Sequence, residues 1–270
     1  MKTDNSIIKK SANGISAGVV IIVCFILAVC FYKFVLGNPA NFMDNNPDNH
    51  PLPGNYAGTI YKGGFIVPVV ITLLLTVITL SVERFIAISR SKGKKALLGF
   101  VHTIKKDLEE GNLDAARKAC GEQQGSVANV VNAALTRYAD VEDRTDQTKE
   151  QKMVILQKEI EESTALELPV MEQNLPVIAT ISTLGTLFGL LGTVLGMIRS
   201  FAALANAGAP DSVALSTGIS EALVNTALGI ATGAMAIISY NYFTSKIDNI
   251  TYAIDEIGFS IVQTYAATHK

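Results

Sequence analysis

The side chains that could do chemistry lie in two apolar segments, at about 175–198 and 219–243. The first segment carries hydroxyl groups at helical spacing, at Ser182, Thr186, Thr193 and Ser200. One helix face of the second carries a carboxylate, an amide and two hydroxyls, with a further hydroxyl beside them: Glu221, Asn225, Thr232, Ser239 and Thr226. Polar groups in line along an apolar helix could form an ion pathway, although each hydroxyl could instead bond the carbonyl four residues earlier.

Glu221 is the only carboxylate inside the apolar segments of this chain. A charge within a membrane is costly and usually faces protein or water. Because Glu221 lies two residues after the start of its segment, its side chain could reach water at the membrane surface. It could instead line a polar path that is repeated in every subunit of an oligomer. One carboxylate near a membrane edge is a thin basis for a complete proton relay within this chain.

Glycines recur on the same two segments at steps of three and four residues. In the first segment these are Gly185, Gly189, Gly192 and Gly196, and in the second the small or polar series is Gly218, Ala222, Asn225, Gly229 and Gly233. Small residues at this spacing let two helix backbones approach closely, which is how helices pack in lipid. We interpret the four glycines of the first segment, together with Gly229, as helix-packing residues.

The chain as a whole has the composition of a membrane protein. Its 270 residues are 49% hydrophobic and 17% charged, whereas soluble domains carry about 25% charged residues. The formal net charge of −2 argues against nucleic-acid binding, and three cysteines without a C-x-x-C pair exclude a disulfide or zinc framework. No glycine-rich phosphate loop, histidine cluster or nucleophile elbow is present. We therefore predict no enzyme activity, no cofactor and no metal site.

Four apolar stretches, at about 15–36, 65–82, 175–198 and 219–243, are long enough to cross roughly 30 Å of hydrocarbon as helices. The first follows three lysines but is too long for a signal peptide and lacks a cleavage site, so we interpret it as an anchor. The alternative, buried helices of a large soluble core, is disfavoured because such helices normally keep a charged edge. Lysine and arginine clusters before the first stretch and after the second predict that both termini lie on the cytoplasmic side.

Residues 90–176 hold 13 of the 22 Lys and Arg and 15 of the 24 Asp and Glu. Helical periodicity predicts buried faces at Phe100, Val101, Ile104 and Leu108 and at Val130, Val131, Ala134 and Leu135. The stretch Thr148–Glu167 predicts a long amphipathic helix that runs into the third span. Its apolar stripe needs a partner, either the preceding helices or a neighbouring subunit. The Pro- and Asn-rich segment 37–64 is predicted to be an irregular loop outside the cytoplasm.

Two motifs stand where the polar and small residues coincide. Gly189–Met197 reads G-L-L-G-T-V-L-G-M and resembles the G-L-L-G-T-V-x-G-M signature of the MotA/TolQ/ExbB proton-channel family. Gly218–Gly229 is similar to that family's G-I-x-E-A-L-x-x-T-A-x-G motif, and Glu83-Arg84 resembles an E-R pair common there. The resemblance runs from about 65 to 243 and fits the ExbB/TolQ branch best, ExbB most of all.

The resemblance implies an all-α membrane protein in which three spans form the family core and the first span is an addition. The third and fourth spans would line the pore of a pentameric ring around two copies of a single-span partner, ExbD or TolR. That partner's membrane aspartate would carry the proton. Thr193 and Thr226 would face the pore, and Glu221 would lie at the same inner surface. Asn225 would add a polar group to this ion pathway.

The same resemblance implies a subunit of a proton-driven motor in the bacterial inner membrane. Proton flow would turn the inner dimer and drive TonB or TolA across the periplasm, which energises outer-membrane transport. Membrane lipid is a further expected partner, whereas nucleic acid is not. A TolQ-like role, a gliding-motor stator, a secondary transporter and a non-channel scaffold remain as alternatives. The choice between proton and sodium also remains open, although a threonine-lined path without extra acidic ligands favours protons.

The implied topology divides the chain into eight parts. These are a cytoplasmic N-terminus with the extra transmembrane helix (1–36), a periplasmic loop (37–64), transmembrane helix 2 (65–89), a helical cytoplasmic insert (90–175), transmembrane helix 3 (176–201), a short periplasmic link (202–217), transmembrane helix 4 (218–245) and a cytoplasmic C-terminal helix (246–270).

The chain departs from the family pattern at Thr186 and Met235, where proline is common, so we expect less kinked helices. It also departs at Asn225, where a small apolar residue is usual, and carries Arg199 at the outer end of helix 3.

Overall fold

The structure, a computed structural model, describes residues 16–144, 146–206 and 212–268. These residues are almost entirely helical and include no β-strand. The chain forms two compact units. Of the described residues, those within 16–82 and 174–241 form the membrane unit, and those within 83–173 and 242–268 form the charged unit.

Nine α-helices lie in the described ranges. They are α1 (Ala17–Cys30), α2 (Tyr56–Tyr61), α3 (Ile66–Lys92), α4 (Leu97–Glu109), α5 (Leu113–Gln123), α6 (Gly125–Glu142), α7 (Lys149–Glu172), α8 (Leu175–Asn206) and α9 (Ser212–Thr268). Four helical stretches, which include α1, α3, α8 and α9, are long and apolar enough to cross a membrane. The prediction of an all-α, multi-pass membrane protein with four spans is therefore confirmed. Since α9 is unbroken, the predicted fourth span and C-terminal helix form one helix.

The first span, α1, packs in the membrane unit through one narrow face. Its buried residues are Val20, Cys24 and Ala28, which recur at four-residue spacing. The Cys24 Sγ lies 3.8 Å from the Thr79 Oγ1 of α3. Large apolar side chains on the other faces, such as Ile22, are exposed, as expected for a helix that faces lipid. Small residues therefore bring α1 close to α3, as is usual for helices in a membrane.

The segment between α1 and α3 is more ordered than the predicted irregular loop. After a π-helical extension of α1 (Phe31–Leu36), it contains two 3₁₀ turns and the short helix α2. The Asn41 side chain donates to the carbonyl of Val35 at 2.9 Å and to that of Leu36 at 3.0 Å. The rings of Tyr32 and Tyr61 stack with centroids 4.7 Å apart. Asparagine side chains thus form hydrogen bonds with backbone groups that lack a helical partner. These bonds order a segment whose composition predicts a loop.

The helices of the charged unit bury the apolar faces that the sequence predicts. The predicted residues of α4 and α6 are at most 4% exposed: Phe100, Val101, Ile104, Leu108, Val130, Val131, Ala134 and Leu135. The apolar stripe of α7, with Leu156 and Ile160 buried, packs against α6. It also meets α9, where a Cβ added at Gly258 would lie 2.9 Å from the Ile160 Cγ2. The stripe therefore has partners within its own chain, and one of them is the C-terminal part of α9.

The predicted amphipathic helix leads into the third span through a short break. The helix α7 ends at Glu172, and α8 begins at Leu175. Asn174 between them has a left-handed backbone, with φ of +66°, a conformation that asparagine tolerates better than most residues. Pro176 then occupies the first turn of α8, where a missing N–H costs nothing.

The Glu83-Arg84 pair ties the end of the apolar part of α3 to α7. The Arg84 side chain is 2% exposed, and its Nε donates to the Glu83 Oε2 at 2.6 Å. Its Nη1 donates to the carbonyls of Val170 at 3.1 Å and Met171 at 3.3 Å. Carbonyls in the last turn of a helix lack partners within the helix. Arg84 thus donates hydrogen bonds to carbonyls in the last turn of α7. These bonds also offset the cost of burying its charge.

Candidate ion pathway and helix-packing site

The helices α8 and α9 approach each other through their glycines. A Cβ added at Gly229 would lie 2.6 Å from both the Gly185 carbonyl oxygen and the Gly189 Cα. A Cβ at Gly196 would lie 2.8 Å from the Ala222 nitrogen. Since backbone atoms cannot yield as a flexible side chain can, any larger residue at these positions would force the helices apart. These glycines therefore sit where two backbones meet, in the manner that membrane helices use for packing.

Two threonines link the helices in the centre of this contact. The hydroxyls of Thr193 on α8 and Thr226 on α9 are hydrogen-bonded to each other. The Ala222 carbonyl lies 3.1 Å from the Thr226 Oγ1 and 3.4 Å from the Thr193 Oγ1, and the Gly189 carbonyl lies 3.2 Å from the Thr193 Oγ1. A hydroxyl has one proton to donate and two lone pairs to accept with. This small network can therefore exchange its donors without moving a helix, and both side chains are partly buried.

The other hydroxyls of the two segments bond differently. Ser182, Thr186 and Thr232 donate to backbone carbonyls of their own helices, three or four residues earlier. Ser200, which is buried, donates to the Leu215 carbonyl on α9 at 3.2 Å. Local back-bonding thus accounts for three of these hydroxyls. Of the threonines described on α8 and α9, the pair at 193 and 226 joins its hydroxyls across the two helices.

Glu221 is buried, and its partner is Arg199 near the end of α8. The Arg199 Nη1 lies 2.5 Å from the Glu221 Oε1, and the exposed fractions of the two side chains are 53% and 6%. The arginine therefore keeps contact with solvent and brings a compensating charge to the carboxylate. The sequence contained a signal for this pairing. In two antiparallel helices that place Gly196 opposite Ala222, Arg199 lies three residues after Gly196 and therefore comes near Glu221, the residue before Ala222.

The turn that precedes α3 completes the surroundings of Glu221. Gly64 has a φ of +75°, and a Cβ there would lie 2.5 Å from the Glu221 Oε1 and 3.2 Å from the Arg199 Nη1. Glycine is required on both counts, because the conformation is left-handed and the carboxylate fills the space. Sequence reasoning missed this turn, since Gly64 lies 157 positions from Glu221 in the chain.

Asn225 is fully buried and holds the same turn. Its Nδ2 donates to the Gly63 carbonyl at 2.8 Å, and a Cβ added at Gly192 would overlap its side chain. Among the described residues, no group donates to the Asn225 Oδ1. An amide of this size fits only because Gly192 faces it with no side chain. The amide thus forms a polar link from α9 to residue 63.

A cavity of about 660 Å³ opens beside the Arg199–Glu221 pair. The segment between α1 and α3 lines it with charged and polar side chains, at Asp44, Asp48, Asn49, His50 and Lys62. The Lys62 Nζ donates to the Asp48 carbonyl at 3.0 Å. Partial burial lowers the pKa of Lys62, and the nearby Asp48 carboxylate opposes that shift. Within the described residues, no three His, Cys, Asp or Glu side chains are arranged to hold a metal ion.

The four side chains predicted to lie on an ion pathway therefore form two pairs. Thr193 and Thr226 join α8 to α9 at a partly buried position. Glu221 and Asn225 are buried and have partners within the same chain, Arg199 and Gly63. The first pair is partly buried, while the second lies in the interior at the end of the helix pair.

Comparison with known proteins finds a matching family and several relatives. A family model described as the MotA/TolQ/ExbB proton channel family matches residues 122–256. The Tol-Pal system protein TolQ of Pseudomonas aeruginosa is 25% identical over 183 residues, which cover 66% of this chain and 79% of that protein. The putative biopolymer transport protein ExbB-like 3 of Synechocystis is 38% identical over 88 residues, 32% of this chain and 42% of that protein.

A third relative is the putative biopolymer transport protein ExbB homolog of Methanothermobacter thermautotrophicus. It is 28% identical over 154 residues, which cover 55% of this chain and 49% of that protein. The chain thus spans less than half the length of the last two relatives. The family model covers half of the chain, including both sequence motifs, all of α8 and α9 as far as residue 256. The chain is therefore a member of the MotA/TolQ/ExbB proton channel family.

Proposed function

We propose that this protein is the channel-forming, ExbB-like subunit of a motor in the bacterial inner membrane that uses the proton-motive force. With a single-span, ExbD-like partner it energises TonB-dependent outer-membrane transport. The observation that carries this proposal is the hydroxyl pair of Thr193 and Thr226. The pair joins the two family motifs and stays only partly buried within an otherwise apolar helix surface.

In the proposed assembly, five copies form a ring and α8 and α9 line its pore. Large apolar side chains on these helices support an assembly, because they are exposed in the single chain: Leu190, Leu191, Ile198, Leu223 and Ile230. Lipid or neighbouring copies must cover such a surface. Both termini face the cytoplasm in this arrangement, and the segment 37–64 lies on the periplasmic side. The helix boundaries of the eight predicted parts belong to the same proposal.

The proposed proton route uses the two pairs of side chains for different purposes. Thr193 and Thr226 face the partner and hydrogen-bond water or the partner's carboxylate in the pore. Glu221, with Arg199, sets the electrostatic field at the pore mouth, and the cavity of Asp48 and His50 gives water access to that end. The partner supplies the carboxylate that carries the proton, while Glu221 stays paired with Arg199.

A TolQ-like role that serves TolA is the second candidate, since TolQ of Pseudomonas aeruginosa is among the relatives. A gliding-motor stator and a non-channel scaffold make different predictions about partners. A stator of any of these systems should co-purify with a small single-span protein that has an aspartate in its membrane segment. A scaffold should not, and the identity of the neighbouring small membrane protein separates the ExbB-like from the TolQ-like role.

The double variant Thr193→Val/Thr226→Val tests the pathway. Valine keeps the shape of threonine, so assembly should survive, while polar contacts of about 1 kcal/mol each are lost. We expect normal co-purification of the partner and near-complete loss of siderophore or vitamin uptake in cells.

The matched control is Thr186→Val/Thr232→Val, which removes hydroxyls of the same helices that bond their own backbone. This control should retain most of the uptake. Full uptake by the Thr193→Val/Thr226→Val protein would remove the pathway assignment. Loss of uptake together with loss of the partner would indicate a packing role instead.

A further inference from the structure

A second cavity, of about 380 Å³, lies in the charged unit between the last turns of α3, the start of α4 and the middle of α9. Its floor is apolar, because Ile88, Phe243 and Ile250 are buried beneath it. Phe85 and Tyr242 stand at its sides and are about half-exposed. This trough is therefore an apolar surface with no cover in the single chain.

Two lysines stand at the rim of the trough, Lys92 at the end of α3 and Lys246 on α9. The Lys246 Nζ lies 5.4 Å from the centre of the Tyr242 ring, within the range of a cation–π contact. Neither lysine forms an ion pair with a described residue, and no acidic side chain lines the cavity in the described part of the chain. The rim thus presents two positive charges together with the polar groups of Ser89 and Asn249.

The backbone that carries Lys92 is held in place by a buried glutamine. The Gln123 side chain is 0% exposed and donates to the carbonyls of Lys92 at 2.9 Å and Lys95 at 3.1 Å. A Cβ added at Gly93 would lie 2.6 Å from the Gln123 Nε2. Because Gln123 cannot move without losing these bonds inside the protein, the end of α3 has a defined position before any ligand arrives.

The place of the trough along α3 indicates what fills it. The apolar stretch of α3 ends where the trough begins, and the first exposed basic residues, Arg90 and Lys92, follow within two turns. On α9, Tyr242 and Lys246 form the aromatic and basic pair that marks a membrane–water interface. A basic pocket between membrane helices at this depth is suited to an anionic lipid headgroup.

We propose that this trough binds one anionic phospholipid per chain. The phosphate lies between Lys92 and Lys246, and the upper part of an acyl chain covers Phe85 and Phe243. A soluble phosphate would use the two lysines and leave the apolar floor uncovered. A helix of a second copy would cover the floor and would have to place an acidic group between the lysines.

Native mass spectrometry of the detergent-purified full-length protein tests this proposal, with phosphatidylglycerol and phosphatidylcholine of the same acyl chains as probes. We expect saturable retention of phosphatidylglycerol and weak retention of phosphatidylcholine. Lys92→Gln/Lys246→Gln should lower the phosphatidylglycerol affinity roughly 30-fold at low ionic strength, since each lysine near an anionic surface contributes about fivefold. The matched control Lys118→Gln/Lys158→Gln changes two exposed lysines outside the trough and should leave the affinity within twofold.

A variant that keeps both lysines tests the apolar floor. Ser89→Trp fills the trough and should reduce lipid retention to that of the lysine double variant. Equal retention of the two lipids, or equal loss in the lysine variant and its control, would overturn the proposal. Displacement of the lipid by millimolar inorganic phosphate would also overturn it, in favour of a soluble anion. Loss of the oligomer in the lysine variant with unchanged lipid retention per chain would reassign the trough to contacts between copies.

Discussion

The membrane unit and the charged unit hold their helices together by opposite means. In the membrane unit, α8 and α9 meet backbone to backbone, so that a Cβ at Gly229 would lie 2.6 Å from atoms of α8. In the charged unit, aliphatic side chains such as Leu156 and Leu135 fill the space between helices and are fully buried. Lipid is as apolar as leucine, so burying leucine between helices in a membrane favours their association only weakly. Close packing of the backbones must stabilise the contact instead. In water, apolar burial supplies that drive.

This difference predicts opposite sensitivities to substitution. Where backbones touch, adding atoms is the damaging change, because no side chain is available to move aside. Where aliphatic side chains fill a core, removing atoms is the damaging change, because a cavity remains. The polar groups differ in the same way. The membrane unit keeps buried polar side chains such as Glu221 and Asn225 with specific partners, whereas most charges of the charged unit lie exposed on its helices.

The largest effect is expected for Gly229→Leu. The new side chain would collide with the Gly185 carbonyl and the Gly189 Cα, so α8 and α9 must separate. Native mass measurement should find little or none of the proposed ring. The matched control is Gly121→Leu, because nothing lies within 4 Å of a Cβ at Gly121 and the oligomer should persist. An intact oligomer of the Gly229→Leu protein at wild-type yield would show that this backbone contact is not needed.

Leu156→Ala tests the aliphatic packing of the charged unit. Leu156 is 0% exposed between α7 and its neighbours, and removing its side chain should cost about 2–5 kcal/mol of local stability. Hydrogen exchange of α6 and α7 should become faster, while the exchange of α8 and of the α9 residues within 212–241 should change little. Val154→Ala is the control on the same helix, since Val154 is 64% exposed. Equal exchange rates in the two variants would contradict the aliphatic packing described for this unit.

The Arg199–Glu221 pair should show an asymmetry. Arg199→Gln leaves a buried carboxylate without its partner and should cost about 1–3 kcal/mol, whereas Glu221→Gln leaves an arginine that is half-exposed and hydrated. The melting temperature in detergent should therefore fall more for Arg199→Gln, and the double variant Arg199→Gln/Glu221→Gln should recover part of the loss. We also expect Glu221→Gln to assemble normally with partial loss of transport. Additive losses in the double variant would mean that the pair is not coupled.

The smallest effect concerns Cys120 in the charged unit. Burial raises the pKa of its thiol from 9.0 to about 12, so the folded protein holds this proton more tightly than the unfolded chain. The resulting stabilisation is complete below pH 9 and is lost as the pH rises toward 12. With Cys24 and Cys30 replaced by alanine, maleimide at pH 8 should label Cys120 slowly, because the thiolate is the reactive form. The exposed position Lys118→Cys in a Cys120→Ser background should label quickly, and comparable rates would contradict burial.

Much of this architecture is local and could therefore be predicted from the order of residues. Apolar stretches of sufficient length predict the spans, and three- and four-residue spacing predicts which faces hold small or apolar side chains. The faces of α4 and α6 followed this rule. The break at Asn174 and the order in the segment 37–64 were not predicted, because both depend on single side chains that bond nearby backbone groups.

The partners of the buried polar groups were decided by tertiary structure. Spacing alone assigned Glu221 and Asn225 to one helix face, but it does not show which residues of other helices lie opposite that face. The register between α8 and α9 brings Arg199 to Glu221, and the turn before α3 brings Gly63 and Gly64 to the same place. The sequence by itself thus determined the long helices, the four segments that are long and apolar enough to cross a membrane, and the family. Only the folded chain decided which charges meet, because residues far apart in sequence become neighbours only when the helices pack.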